Sequence, residues 1–153
     1  MASPPDHTSA FVTASRALLS LAVRTIAEAP VEVTLAQHRV LVLLAARGDQ
    51  QVGDIADGLG VNPSNATRIC DRLQRLDLIS RTRSEEDRRV VVISLSPQGA
   101  DLVKAVTVRR HVEVAKVLDR MTPEQTAQVV RALEVFNRAA GEIEDQNWTT
   151  QPW

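Results

Sequence analysis

Apolar positions recur at three- and four-residue spacing through most of the chain, the period of a helix with one buried face. From about Ser9 to Ala29 they are Val12, Leu18, Leu19, Val23 and Ile26, and Pro30 ends the run. Thr34-Leu35-Ala36-Gln37 is a capping box, in which Thr34 and Gln37 each satisfy the other's orphan backbone N–H. The helix it opens carries Leu35, Val40, Leu41, Leu43 and Leu44 and stops at Gly48. A short helix follows over about Val52 to Leu59, with Gly60 as its stop. Asn62-Pro63 then reads as a cap plus a first-turn proline, opening a helix to about Leu76 whose inward stripe is Ala66, Ile69, Leu73 and Leu76.

The period changes after Leu78. Ile79 to Arg83 and Val90 to Leu95 are short and rich in β-branched residues, and the polar run Ser84 to Arg89 lies between them, which predicts a hairpin with a charged tip. Ser96-Pro97 opens a helix to about Arg120, and the capping box Thr122-Pro123-Glu124-Gln125 opens a last one to about Ile143. Between Leu102 and Leu118 the apolar residues cover more than one stripe, so that helix needs burial on two sides. In a chain this small the second surface is expected to be another copy of the chain. The ends, residues 1–8 and 145–153, lack periodicity and read as tails; Trp148 and Trp153 lie in the second.

Composition narrows the chemistry. Aromatic residues are 3% of the chain and Tyr is absent, which argues against a sugar-binding or base-stacking platform. One cysteine, Cys70, excludes an internal disulfide framework and a multi-cysteine zinc site. There is no Gly-rich phosphate loop and no acid, base and nucleophile constellation, so neither an enzyme nor a cofactor or metal is expected. The polar N-terminus lacks the basic region of a signal peptide, and the apolar run Ala17 to Val23, between Arg16 and Arg24, is too short to span a bilayer. A cytoplasmic protein without a membrane partner is the expectation.

Net charge is −1, but it is unevenly spread. Thr67 to Arg89 holds seven arginines against five acids, whereas elsewhere acids lead fourteen to eleven. The excess sits on two short helices joined by a tight turn at Gly60-Val61, followed by the hairpin: a helix-turn-helix with a wing. The second helix begins with Ser64, Asn65, Thr67 and Arg68, groups that can read base edges in a major groove. Arg72 and Arg75 lie further along, placed for phosphates, and the tip arginines Arg88 and Arg89 suit the adjacent minor groove. For Arg75, Arg81 and Arg83 a DNA contact and a solvated surface arginine weigh equally. Asp71 can serve as a helix-surface partner of Arg68 or Arg75.

The run NPSNATRICDRLQRLDLISRTRSEEDRRVVVISLSPQG resembles the helix-turn-helix and wing of MarR-type transcriptional regulators. Thr67-Arg68 and Asp71-Arg72-Leu73 match the recognition-helix pattern, Asp87-Arg88-Arg89 matches the wing tip, and TLAQHRVLVLLA is similar to the preceding helix, so the likeness runs from about Thr34 to Gly99. The resemblance implies a mainly α fold with a small β-wing. Residues 9–33 would be an N-terminal dimerisation helix, 34–96 a winged helix-turn-helix and 97–144 the C-terminal dimerisation helices. It further implies a homodimer that binds a palindrome in double-stranded DNA, as a repressor. DNA contacts would come from Ser64, Asn65, Thr67, Arg68, Arg72, Arg83, Arg88 and Arg89, with Asp87 pairing with Arg89 to orient it. It also implies a small aromatic or lipophilic effector near His38. Two other readings stand beside it: a winged-helix protein-docking module without specific DNA binding, and a thiol-based redox regulator using Cys70.

Overall fold

A computed structural model describes residues 6–142. Its order is α1 (His7–Ala27), α2 (Leu35–Arg47), α3 (Val52–Leu59), α4 (Pro63–Arg75), β1 (Ile79–Arg83), β2 (Val91–Leu95), α5 (Pro97–Leu118) and α6 (Pro123–Ala140). This is the mainly helical fold with a two-stranded wing that the periodicity predicts. Trp148, Trp153 and the end of the last predicted helix at Ile143 lie outside the described residues.

Local capping chemistry sets the helix starts. The Thr34 hydroxyl accepts from the Gln37 N–H at 3.2 Å while the Gln37 side chain accepts from the Thr34 N–H at 2.8 Å, and Thr122 and Gln125 do the same at 3.3 and 2.9 Å. α1 begins two residues before Ser9, because the Asp6 carboxylate accepts from the Ser9 N–H at 3.2 Å and caps the helix there. α4 closes with Asp77 at φ 57°, where the Leu78 N–H reaches the Leu73 carbonyl and the Asp77 N–H that of Gln74. These bonds form a Schellman motif, with Leu73 and Leu78 in its apolar contact.

The core lies where α2 meets α3, α4, the wing base and the first half of α5. Val40, Leu41, Leu44, Ile55, Leu73, Leu78, Ile93, Leu102 and Val106 are buried there. The inward stripe of α4 differs by a quarter turn from the expected one: Ala66, Cys70 and Leu73 are fully buried, whereas Ile69 and Leu76 are only partly covered. The strands pair antiparallel from Ile79↔Leu95 to Arg83↔Val91, and the α2–α3 linker adds a further rung by exchanging both Gln50–Ile93 backbone bonds at 2.8 and 3.0 Å. That rung fastens the wing to the base of the helix-turn-helix.

The rest of the molecule is less covered. In α1, Leu21, Thr25 and Ile26 are buried, but Val12, Leu18, Leu19 and Val23 face outward. The buried residues of α5 all lie at or before Val106, beyond which Val108, Val112 and Val117 are exposed. α6 buries none of its residues. The expected two-sided burial of α5 is therefore absent within one chain. By length and composition α1 as a whole is apolar enough to cross a bilayer, which the shorter run between Arg16 and Arg24 hides; in this fold α1 packs on α5 and α2.

Gly99, in the first turn of α5, is the tightest point of this architecture. A Cβ there would lie 2.1 Å from the Leu78 carbonyl oxygen and 2.8 Å from the Leu95 side chain. The Ser96 hydroxyl caps the same turn, accepting from the Gly99 N–H at 3.0 Å and donating to the Asp77 carbonyl at 2.6 Å. Gly99→Ala is expected to destabilise the fold by roughly 3 kcal/mol, read as a lowered midpoint in urea unfolding; an unchanged midpoint would contradict this packing.

Candidate nucleic-acid interface

The Asn62 side chain caps α4 by accepting from the Asn65 N–H at 2.8 Å, and Pro63 fills the first helical position. Gly60 adopts the left-handed conformation at φ 64° that turns the chain from α3 into this start. The first turns of α4 then present Ser64, Asn65, Thr67 and Arg68 to solvent. The Ser64 hydroxyl donates to the Asn62 side chain at 2.8 Å and the Thr67 hydroxyl to the Pro63 carbonyl at 2.9 Å, which fixes both oxygens with free lone pairs. Arg72 and Arg75 are exposed further along α4, and Arg83, Arg88 and Arg89 are exposed on the wing.

The wing tip is ordered by its own side chains. Ser84 accepts from the Glu86 N–H at 3.2 Å, and the Asp87 carboxylate accepts from the Arg89 N–H at 2.9 Å. Asp87 thus orients Arg89 through the main chain, leaving the guanidinium available, where the sequence reading had the two side chains paired. Among the described residues Arg68, Arg72, Arg83, Arg88 and Arg89 make no ion pair.

Arg81 behaves differently from its neighbours. Its Nη1 sits 2.6 Å from the Asp71 carboxylate, and the side chain is mostly covered, at 25% exposed. The partner expected for Asp71, Arg68 or Arg75, is therefore replaced by a strand residue that ties α4 to β1. Strand alternation carries the signal: Arg81 shares a face with buried Ile79, whereas Ser80 and Thr82 face solvent. The Cys70 thiol lies beneath this pair, fully buried. Burial pushes its pKa up against the opposing pull of Arg81, so both access and thiolate formation are disfavoured. This speaks against the thiol-sensing alternative.

A second polar cluster lies in the interior, where α1, α2 and α5 meet. His38 is buried, and its Nε2 has no hydrogen-bond partner. The Arg110 Nε donates to the Thr25 hydroxyl at 3.4 Å, and that hydroxyl donates back to the main chain of α1. Elsewhere on α5, a buried Nη1 of Arg109 lacks a partner. Desolvation, with Arg110 and then Arg39 adding like charge, holds the His38 pKa down at about 4. His111, the next residue on α5, is exposed.

Comparison with known proteins gives a consistent picture. Residues 33–91 match the model of the MarR family. The chain is 36% identical over 115 residues to the HTH-type transcriptional repressor MdtR of Bacillus subtilis, covering 75% of this chain and 74% of that protein. Among solved structures, RV1404 from Mycobacterium tuberculosis superposes with a TM-score of 0.86 at 35% identity, over 94% of this chain and 99% of that one. BpsR of Bordetella bronchiseptica, whose DNA binding is regulated by 6-hydroxynicotinic acid, shares the fold at 20% identity and a TM-score of 0.66, over 87% of this chain and 94% of that one.

The buried imidazole makes stability depend on pH. In the unfolded chain His38 takes a proton near its ordinary 6.5, whereas the folded chain resists protonation down to about 4. The stability this contributes is complete above pH 6.5 and is lost as pH falls toward about 4. Relative to His38→Gln, the protein is expected to lose roughly 2 kcal/mol between pH 7.5 and 5. Urea unfolding of both at each pH reads this; parallel pH profiles would refute it.

Proposed function

The chain belongs to the MarR family of DNA-binding, non-enzymatic transcriptional regulators, and from that premise we propose that it is a homodimeric repressor of a palindromic operator, released by a small aromatic carboxylate. The observation that carries the DNA reading is the split among the arginines. Arg81 is folded onto Asp71, whereas Arg68, Arg72, Arg83, Arg88 and Arg89 stand exposed and unpaired around the free start of α4 and the wing. Arg68 and Asn65 suit guanine and adenine edges in the major groove, with Ser64 and Thr67 beside them. Arg72, Arg83 and Arg88 serve phosphates, and Arg89, set by Asp87, enters the minor groove. A protein-docking module has no use for this many free guanidinium groups on one helix and wing.

The exposed apolar residues of α1, α5 and α6 favour the homodimer. Phe11, Leu18, Leu19, Val112, Leu133 and Phe136 are all at least 38% exposed, and covering the exposed part of each stabilises an interface by about 1 kcal/mol. Two heads held by that interface would sit about one DNA turn apart, near 34 Å. Such a regulator works in the cytoplasm, where the chromosome is.

Selection of bound duplexes from a randomised pool tests the reading. It should return a palindrome with half-sites about ten base pairs apart. The double variant Arg68→Ala/Arg89→Ala should lose at least about a hundredfold in operator affinity with an unchanged fold, because both side chains are exposed. Arg72→Ala should lower the salt slope by about one instead. A double variant that binds as tightly as the parent refutes this site.

For the effector, the supporting feature is the buried junction of His38, Thr25 and Arg110, where the His38 Nε2 has no hydrogen-bond partner and Arg110 brings positive charge. A carboxylate would supply the acceptor that the His38 nitrogen lacks and would offset the Arg110 charge. A ligand bound better by one head separation than another lowers operator affinity by that difference. Calorimetry with benzoate-class acids and their amides should give binding by the acids, weakened roughly tenfold in Arg110→Gln. Acids that bind without changing operator affinity would end the inducer reading.

A further inference from the structure

Glu142 directly follows the glycine that stops α6, and its main chain is fixed by a Schellman motif: its N–H bonds the Asn137 carbonyl at 3.0 Å and that of Gly141 bonds Arg138 at 3.2 Å, with Gly141 at φ 69°. A carboxylate at a helix C-terminus faces the negative end of the dipole and is disfavoured there unless a cation offsets it. Arg39 supplies that cation from the second turn of α2. Its two terminal nitrogens grip both carboxylate oxygens, Nη1 to Oε1 at 2.8 Å and Nη2 to Oε2 at 2.9 Å, across 103 residues of sequence. We propose that this fork is the positioning contact that sets the angle between the dimerisation helices and the reading head, and with it the half-site separation the dimer accepts. The inference rests on the homodimeric DNA-binding reading above.

Geometry gives the contact its leverage. α6 buries no side chain within its own chain, and one turn before its C-terminal end Phe136 stacks on Phe11 of α1 with ring centroids 4.9 Å apart. The fork joins that end of the helix to α2, the helix on which the helix-turn-helix is packed. An 18-residue helix is about 27 Å long. Ten degrees of freedom at one end moves the other by about 5 Å, more than the roughly 3.4 Å rise of a base pair. Both side chains are over a third exposed, so the pair adds little to global stability; its consequence is direction.

The test uses the full-length protein as Arg39→Gln, Glu142→Gln and the reversed pair Arg39→Glu/Glu142→Arg. A nitroxide on Glu85→Cys at the wing tip reports the wing-to-wing distance in the free dimer, Cys70 being buried and unlabelled. Operators with one base pair added or removed between half-sites report spacing discrimination. We expect the single variants to broaden the distance distribution and to reduce the penalty for a one-base-pair change from roughly tenfold to about twofold. The reversed pair should restore both, with dimers intact by sedimentation throughout. Single variants with the parent's distances, a reversed pair no better than either, or a parent with no inter-wing distance each overturn the proposal. A parent with a defined distance that selects no operator fails the DNA reading instead, and the distance data still decide the fork.

Discussion

Six consecutive residues of α2, Val40 to Ala45, are buried. A helix on the rim of a domain buries one stripe; one covered all the way round is packed on every side. α2 is in contact with α1, α3, α4, β2 and α5, so each is placed relative to it and through it to the others. Truncating Leu41 or Leu44 would remove packing from several elements at once, at a cost of about 2–5 kcal/mol each. The recognition helix owes its direction to this packing, since Ala66, Cys70 and Leu73 are its buried positions and its opposite face is entirely polar.

What the sequence made legible was local. Capping boxes at Thr34 and Thr122, the Asn62-Pro63 start and the Ser96-Pro97 start all act within one helical turn, and each has its expected hydrogen bonds. The helix-turn-helix and wing followed because both are built from such short segments. Contacts that depend on distant residues were missed: the Gln50–Ile93 rung, the Arg39–Glu142 fork and the meeting of Thr25, His38 and Arg110. Periodicity marks apolar residues without saying which chain covers them. Val12, Leu18, Leu19 and Val23 are therefore periodic and yet outward-facing, and α1 and α6 look like core helices in sequence. Arg81 is an intermediate case, since strand alternation placed it inward beside Ile79 while its charge suggested the surface.

Arginine does two kinds of work here, and net charge hides both. A planar fork suits a carboxylate within the protein as well as a phosphate or guanine outside it. Arg39 and Arg81 are spent internally, on Glu142 and Asp71, and each joins elements far apart in the chain or at a junction of secondary structure. The helix start and wing keep theirs unpaired. Coulomb attraction between exposed groups is weak at physiological salt, so the free arginines gain most where they displace cations condensed on a polyanion.

His38 and Arg39 are consecutive on α2, so their side chains diverge by about 100° around the helix axis. One points into the junction with α1 and α5; the other reaches the end of α6. Both contacts therefore bear on the same turn of the helix that carries the reading head. A ligand that moved this turn by the small shift a packed interior allows would alter the fork as well, because α2 is too tightly enclosed to bend locally and must move as a body. Coupling of this kind needs no chain of intermediaries through the core. It requires one rigid element, enclosed along its middle turns, with a buried group at the α1–α5 junction and a lever attachment one residue apart.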